Sequence, residues 1–165
     1  MSLATQIERL ARLVPGVAGY LDRERARDTD KRVRQRLAAE LGTIKRALDP
    51  LNRALVDAKD LAPLPALDRL GGKLDKLAAT IDYAGHGYHG LFDAVTVGHP
   101  QLMRLYAFDL RLFDDVRALA GHARKVAEAV SDRPRLMDAI ARMEAAVDRF
   151  DAAFAGRQRL LAPIG

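Results

Sequence analysis

The sequence predicts an all-α protein, an elongated antiparallel bundle of four to five helices with coiled-coil-like seams. Three observations predict it. First, apolar residues recur four and then three positions apart in each long segment, as in Leu37, Leu41, Ile44, Leu48, Leu51 and Leu55, or Leu136, Ile140, Met143, Val147, Phe150 and Phe154. Residues at that spacing share one helix face, and a narrow 4-3 seam is the one with which helices pack nearly parallel to each other. Second, aromatic residues make up only 5% of the 165 residues, against 49% hydrophobic and 30% charged, a globular balance with little to build strands from. Third, Pro15-Gly16, Pro63, Pro65 and Pro134 fall between the seams, where they punctuate helices.

The elements follow in order. A first helix over 2–14 carries Leu3, Ile7, Leu10 and Val14 and stops at Pro15-Gly16. A long second helix over 20–59 contains Pro50. Proline removes one backbone hydrogen bond and clashes with the preceding turn, at a cost of ~3 kcal/mol. The seam nevertheless passes through it unbroken from Leu48 to Leu51 and Leu55, which favours one helix kinked near Pro50 over two helices. A third helix over 64–83 follows Pro63, with Leu67, Leu70, Leu74, Leu77 and Ile81 on its seam. Its Gly71-Gly72 pair weakens the middle and reads as a place where a neighbour comes close. Residues 84–99 form the one long irregular connection. A fourth helix over 100–130 opens on Pro100 and carries Leu112, Val116, Leu119, Ala123 and Val126; a fifth over 134–161 closes the fold. All of 1–165 is expected to form one domain, a length suited to a single core.

Composition also narrows the function. The chain has no cysteine, which removes disulfides, thiolate nucleophiles and cysteine metal sites and fits a cytoplasmic setting. No stretch approaches the length of a membrane-spanning helix. The P-loop, dinucleotide fingerprint, nucleophile elbow and zinc-protease patterns are missing. The adjacent Asp114 and Asp115 point about 100° apart on a helix and form no catalytic pair. His122, beside the Ala123 seam, reads as a core-edge residue.

Two polar features remain. Net charge is +5, and residues 1–60 hold 13 Lys+Arg against 9 Asp+Glu. The excess centres on 21–36, LDRERARDTDKRVRQR, where Arg23, Arg25, Arg27, Lys31, Arg32, Arg34 and Arg36 form a candidate patch for an anionic partner. Carboxylates stand at helical contact spacing to several of them: Glu24 to Arg27, Asp28 to Arg32 and Asp30 to Arg34. That interleaving fits a self-paired, solvated face better than a dedicated nucleic-acid face, and no aromatic in the stretch offers base stacking. The second feature is the connection 84–99, AGHGYHGLFDAVTVGH, rich in glycine, aromatics and histidine. Tyr88, His89, Leu91 and Phe92 are the candidate partner-docking residues, since long connections and aromatics both favour interfaces. Phe92 and Tyr106 are expected to be buried if the loop caps the bundle. A metal reading with His86, His89 and His99, joined by Asp93, matches no ligand signature, so neither metal nor other cofactor is expected. The first helix, amphipathic and basic, suits either the bundle or a membrane surface.

These features converge on a non-enzymatic, cytoplasmic interaction or scaffold protein that binds another protein, with self-association through the helix seams as a further expectation. The alternative is a peripheral module for anionic surfaces, membrane or nucleic-acid phosphate, working through residues 20–36.

Overall fold

Caps and breakers set the helix ends. In the computed structural model, which describes the backbone of residues 1–17, 23–87 and 99–161 and the side chains of 1–17, 26–85 and 100–161, Ser2 caps helix α1 (Leu3–Leu13) by accepting from the Thr5 N–H at 3.2 Å. Helix α2 (Arg23–Asp57) is continuous through Pro50, as its unbroken seam predicts. Both Pro50 and Arg46, whose carbonyl loses its partner, lie on the solvent face, so water replaces the missing bond. With 35 residues, α2 is about 52 Å long. It ends at Lys59 with φ of 57°, and the Asp60 N–H reaches back to the Leu55 carbonyl at 2.9 Å, a left-handed closure of the last turn. Helix α3 (Leu64–Tyr83) follows, then a single 3₁₀ turn over Ala84–Gly87. Helix α4 (His99–Glu128) and helix α5 (Arg133–Leu161) complete the chain. Asp132 caps α5 through the Arg135 N–H at 3.1 Å, with Pro134 in the first turn, where its missing N–H costs nothing. Among the described residues there are five α-helices and no strand.

The packing is that of two αα-hairpins. α2 pairs with α3 and α4 with α5, each pair antiparallel as expected of short connections. Between hairpins, α2 lies beside α4 and α3 beside α5, and these pairs are parallel. Ion pairs read the direction: Asp60 just before α3 pairs with Arg133 at the start of α5, and Arg69 with Glu144 and Lys73 with Asp148 then advance together along α3 and α5. The chain from α3 to α4 therefore joins opposite corners of the bundle. A longer segment is required there than at the other two connections, and this gives the sixteen residues 84–99 a topological reason.

The core is one cluster built from the expected seams, with Leu37, Leu41, Leu74, Ile81, Leu112 and Leu136 among its solvent-inaccessible members. α1 turns Leu3 and Leu10 inward and packs on α4, so its apolar stripe is covered by its own bundle. The glycine pair corrects an expectation. A Cβ at Gly71 would meet only Lys45 Cε at 3.9 Å, and one at Gly72 would meet nothing. Instead of a close approach there is an open groove of about 300 Å³ between α2 and α3, walled by Lys45, Asp49, Asp68 and Asp75.

Candidate functional site

Following the seams towards one end of the bundle leads to the polar heart of the molecule. On α2 the register Leu41, Leu37, Val33 continues back to Asp30 and Ala26. On α4, Val116 and Leu112 continue back to Asp109, and on α5, Phe150 and Phe154 continue to Arg157. The seam faces inward, so these charges are carried inward with it. Arg157 is 0%, Asp109 1%, Arg34 7% and Asp30 8% exposed.

The four side chains form one chain of charge-assisted bonds. Arg157 Nε donates to Asp109 Oδ1 at 2.5 Å and Nη2 to Oδ2 at 3.3 Å, a forked grip on one carboxylate. Arg157 Nη2 also lies 2.8 Å from Asp30 Oδ1, an ion contact whose angle falls outside hydrogen-bond geometry. The other Asp30 oxygen accepts from Arg34 Nε at 2.9 Å. Arg34 Nη1 then donates to the Asp82 carbonyl at 2.7 Å and to the Ile81 carbonyl at 3.4 Å. Those carbonyls belong to the last turn of α3, where the helix dipole favours a cation; the Ile81 carbonyl also accepts from the Ala84 N–H. The cluster thus joins all four bundle helices at one end and carries two positive and two negative charges.

Its electrostatics follow from burial. Removing a charge from water costs several kcal/mol, and mutual attraction repays this only when the geometry is good. Burial pushes the Asp109 carboxyl above its ordinary value, with Arg157 opposing and Asp30 adding to the rise. For Arg157 burial acts the other way, yet Asp109 and Asp30 outweigh it and hold the guanidinium above its ordinary value. The two directions fit one arrangement: a single guanidinium shared by two carboxylates stays charged while each carboxylate gets only part of its compensation. Arg157 Nη1 is buried with no hydrogen-bond partner.

This placement revises the proposed anionic patch. Arg34 is not on the surface; it is a structural cation. Arg32 pairs with Asp28 at 2.7 Å and lies against Gly16, where a Cβ would run into the guanidinium. Gly16 has φ of 85°, which glycine alone adopts without strain, so this turn and the arginine over it require each other. Arg36 pairs with Glu40 at 2.7 Å. Arg27 and Lys31 are exposed. The side chains of Arg23 and Arg25, in the first turn of α2, lie outside the described residues, as do the docking candidates Tyr88, His89, Leu91 and Phe92. The side chains of His86, His89, Asp93 and His99 lie outside them too; among the described residues no group of three potential ligands is placed to hold a metal. Tyr106 is buried, as expected. Asp114 turns to Arg117 at 3.0 Å, while half-buried Asp115 is pushed above the ordinary carboxylate range by burial, so the adjacent carboxylates diverge. His122 is half-buried, and burial lowers its pKa.

Asp109 and Arg157 were not singled out from sequence, and Asp30 only as a surface partner of Arg34. The available signal was register: a charged residue in step with a long seam is as buried as the leucines before it. No helix among the described residues is long and apolar enough to cross a membrane. No family model matches the chain, and no curated protein and no solved structure matches it.

Proposed function

We propose that the chain is a non-enzymatic helical interaction protein whose partner is another protein. One observation carries this reading. Apart from Gln6 and Thr29, the buried polar side chains among the described residues are Asp30, Arg34, Asp109 and Arg157, and they are spent on each other and on the end of α3. Buried charge arranged this way serves helix registration, the best-attested use of such groups, rather than proton transfer to a bound substrate. What a registered bundle offers is its outer faces, held in fixed relation to one another.

The anionic-surface reading has less support. Arg34 is buried with Asp30, in-helix carboxylates engage Arg32 and Arg36, and exposed pairs of the latter kind leave little net field beyond a Debye length, about 8 Å at physiological salt. The deciding experiment is affinity purification of the full chain at physiological salt with quantitative mass spectrometry, beside titration with acidic vesicles and duplex DNA. A protein recovered at fixed stoichiometry, insensitive to Arg27→Glu, is the expected outcome. Salt-sensitive binding to vesicles or DNA with no recovered protein would reverse the order of the two readings.

A further inference from the structure

We infer that the open cleft outside Arg34 binds a carboxylate, presented by an acidic side chain of the partner protein. This rests on the interaction reading above and names the chemistry of its contact. The cleft, about 330 Å³, is lined by Lys31, Arg34, Gln35, Asp82 and Gly85, at the junction of α2 with the end of α3. Its floor is the buried guanidinium. Arg34 Nε and Nη1 are taken by Asp30 and the α3 carbonyls, whereas Nη2 makes none of these bonds. On one side Nη2 packs against the Gly85 backbone, where a Cβ would collide with it, so any ligand reaches this donor from the cleft side.

Lys31 stands one turn before Arg34 on the same side of α2, exposed and with no ion-pair partner among the described residues. A fixed guanidinium N–H and a flexible ammonium lining one cleft provide two donors for one carboxylate. Asp82 on the same wall repels a dianion, which favours a carboxylate over a phosphate. Asp82 and Gln35 can also accept from and donate to peptide amides, which an acidic side chain brings with its own backbone and a free carboxylic acid does not.

The test is an amide-shift NMR titration of the full chain with acetyl-Gly-Glu-Gly-amide, the glutamine peptide as control and inorganic phosphate as competitor. The expected result is saturable shifts at Lys31, Arg34 and Gly85 with the glutamate peptide alone. Lys31→Ala, a surface change that leaves the fold intact, is expected to weaken binding about three- to tenfold, as loss of one exposed ion pair does. Gly85→Ala is expected to abolish it, with the circular dichroism spectrum retained. Unsaturable shifts, equal shifts with the glutamine peptide, tighter binding of phosphate, or unchanged affinity in Lys31→Ala would each overturn the proposal. A partner protein that co-purifies equally with wild type and with Lys31→Ala would also overturn it while leaving the interaction reading in place.

Discussion

The two ends of the bundle are both tied by arginine and aspartate, and they differ in what surrounds the tie. At the end where α2 turns into α3 and α5 begins, half-buried Asp60 pairs with exposed Arg133, over a seam of leucine and isoleucine that includes Leu55, Leu136 and Ile140. At the opposite end, Asp30, Arg34, Asp109 and Arg157 make the same kind of bonds inside the seam itself. Water reaches the Arg133 side of the first pair and competes with it, so losing the arginine leaves a carboxylate that is still partly solvated. Water has little access to the second set. The same chemistry is expected to matter less at one end than at the other, and the medium accounts for the difference.

Breaking the buried end gives the largest effect. Arg157→Ala leaves buried Asp109 without a partner and Asp30 with Arg34 alone, and urea denaturation is expected to show a loss of ~3–5 kcal/mol. Replacing Asp109 and Arg157 together by apolar residues of similar volume is expected to recover that loss, since the charges that remain, Asp30 and Arg34, are paired with each other. If the combined variant proves as unstable as Arg157→Ala, packing of the arginine stem rather than its charge is what holds this end.

The dry end is broken by cavity formation instead. Leu136→Ala, at a site with no solvent exposure, is expected to cost ~2–5 kcal/mol in the same measurement, with no dependence on pH between 5 and 8.

Acid titration sharpens the contrast between the ends. The folded-state pKa of Asp109 lies above its unfolded value, so the folded state binds this proton first. Its contribution therefore rises as pH falls through the raised value towards the ordinary carboxylate range, and is lost as pH climbs back. Relative to Asp109→Asn, which cannot titrate there, the wild type is expected to gain stability over that window. A gap that moves the other way in urea titrations at several pH values would mean that Arg157 outweighs burial at Asp109.

Arg133→Ala should give the smallest effect, a small drop in melting temperature, because the arginine is exposed and Asp60 keeps partial access to water. A large loss would show that the exposed tie anchors the α2–α3 turn to α5 rather than decorating it.

The seams, the five helices, the continuity of α2 through Pro50 and the burial of Tyr106 were all legible from residue order, because each depends on a local period or a local breaker. The site was less legible. The stretch 21–36 was read from its charges as an outward face, although its own 4-3 register turns Asp30 inward, and Arg34 follows because i and i+4 side chains meet on one helix face. Charge type suggested solvent, and position in the period decided otherwise. Gly71-Gly72 misled in the opposite direction, since a missing side chain marks close packing only when a neighbour is there to use the space.

By itself the sequence determined where the helices are and which face of each is apolar, since helical periodicity is a property of the local chain. Only the tertiary structure decided how the hairpins lie. Packing α2 beside α4 and α3 beside α5 in parallel is what brings Asp30, Asp109 and Arg157 to one point, 79 and 48 positions apart along the chain. Nothing in a local pattern specifies that meeting. It is fixed by the requirement that three charges carried inward by three separate seams find partners in the same dry interior, because burying any one of them alone costs more than the seam around it gains.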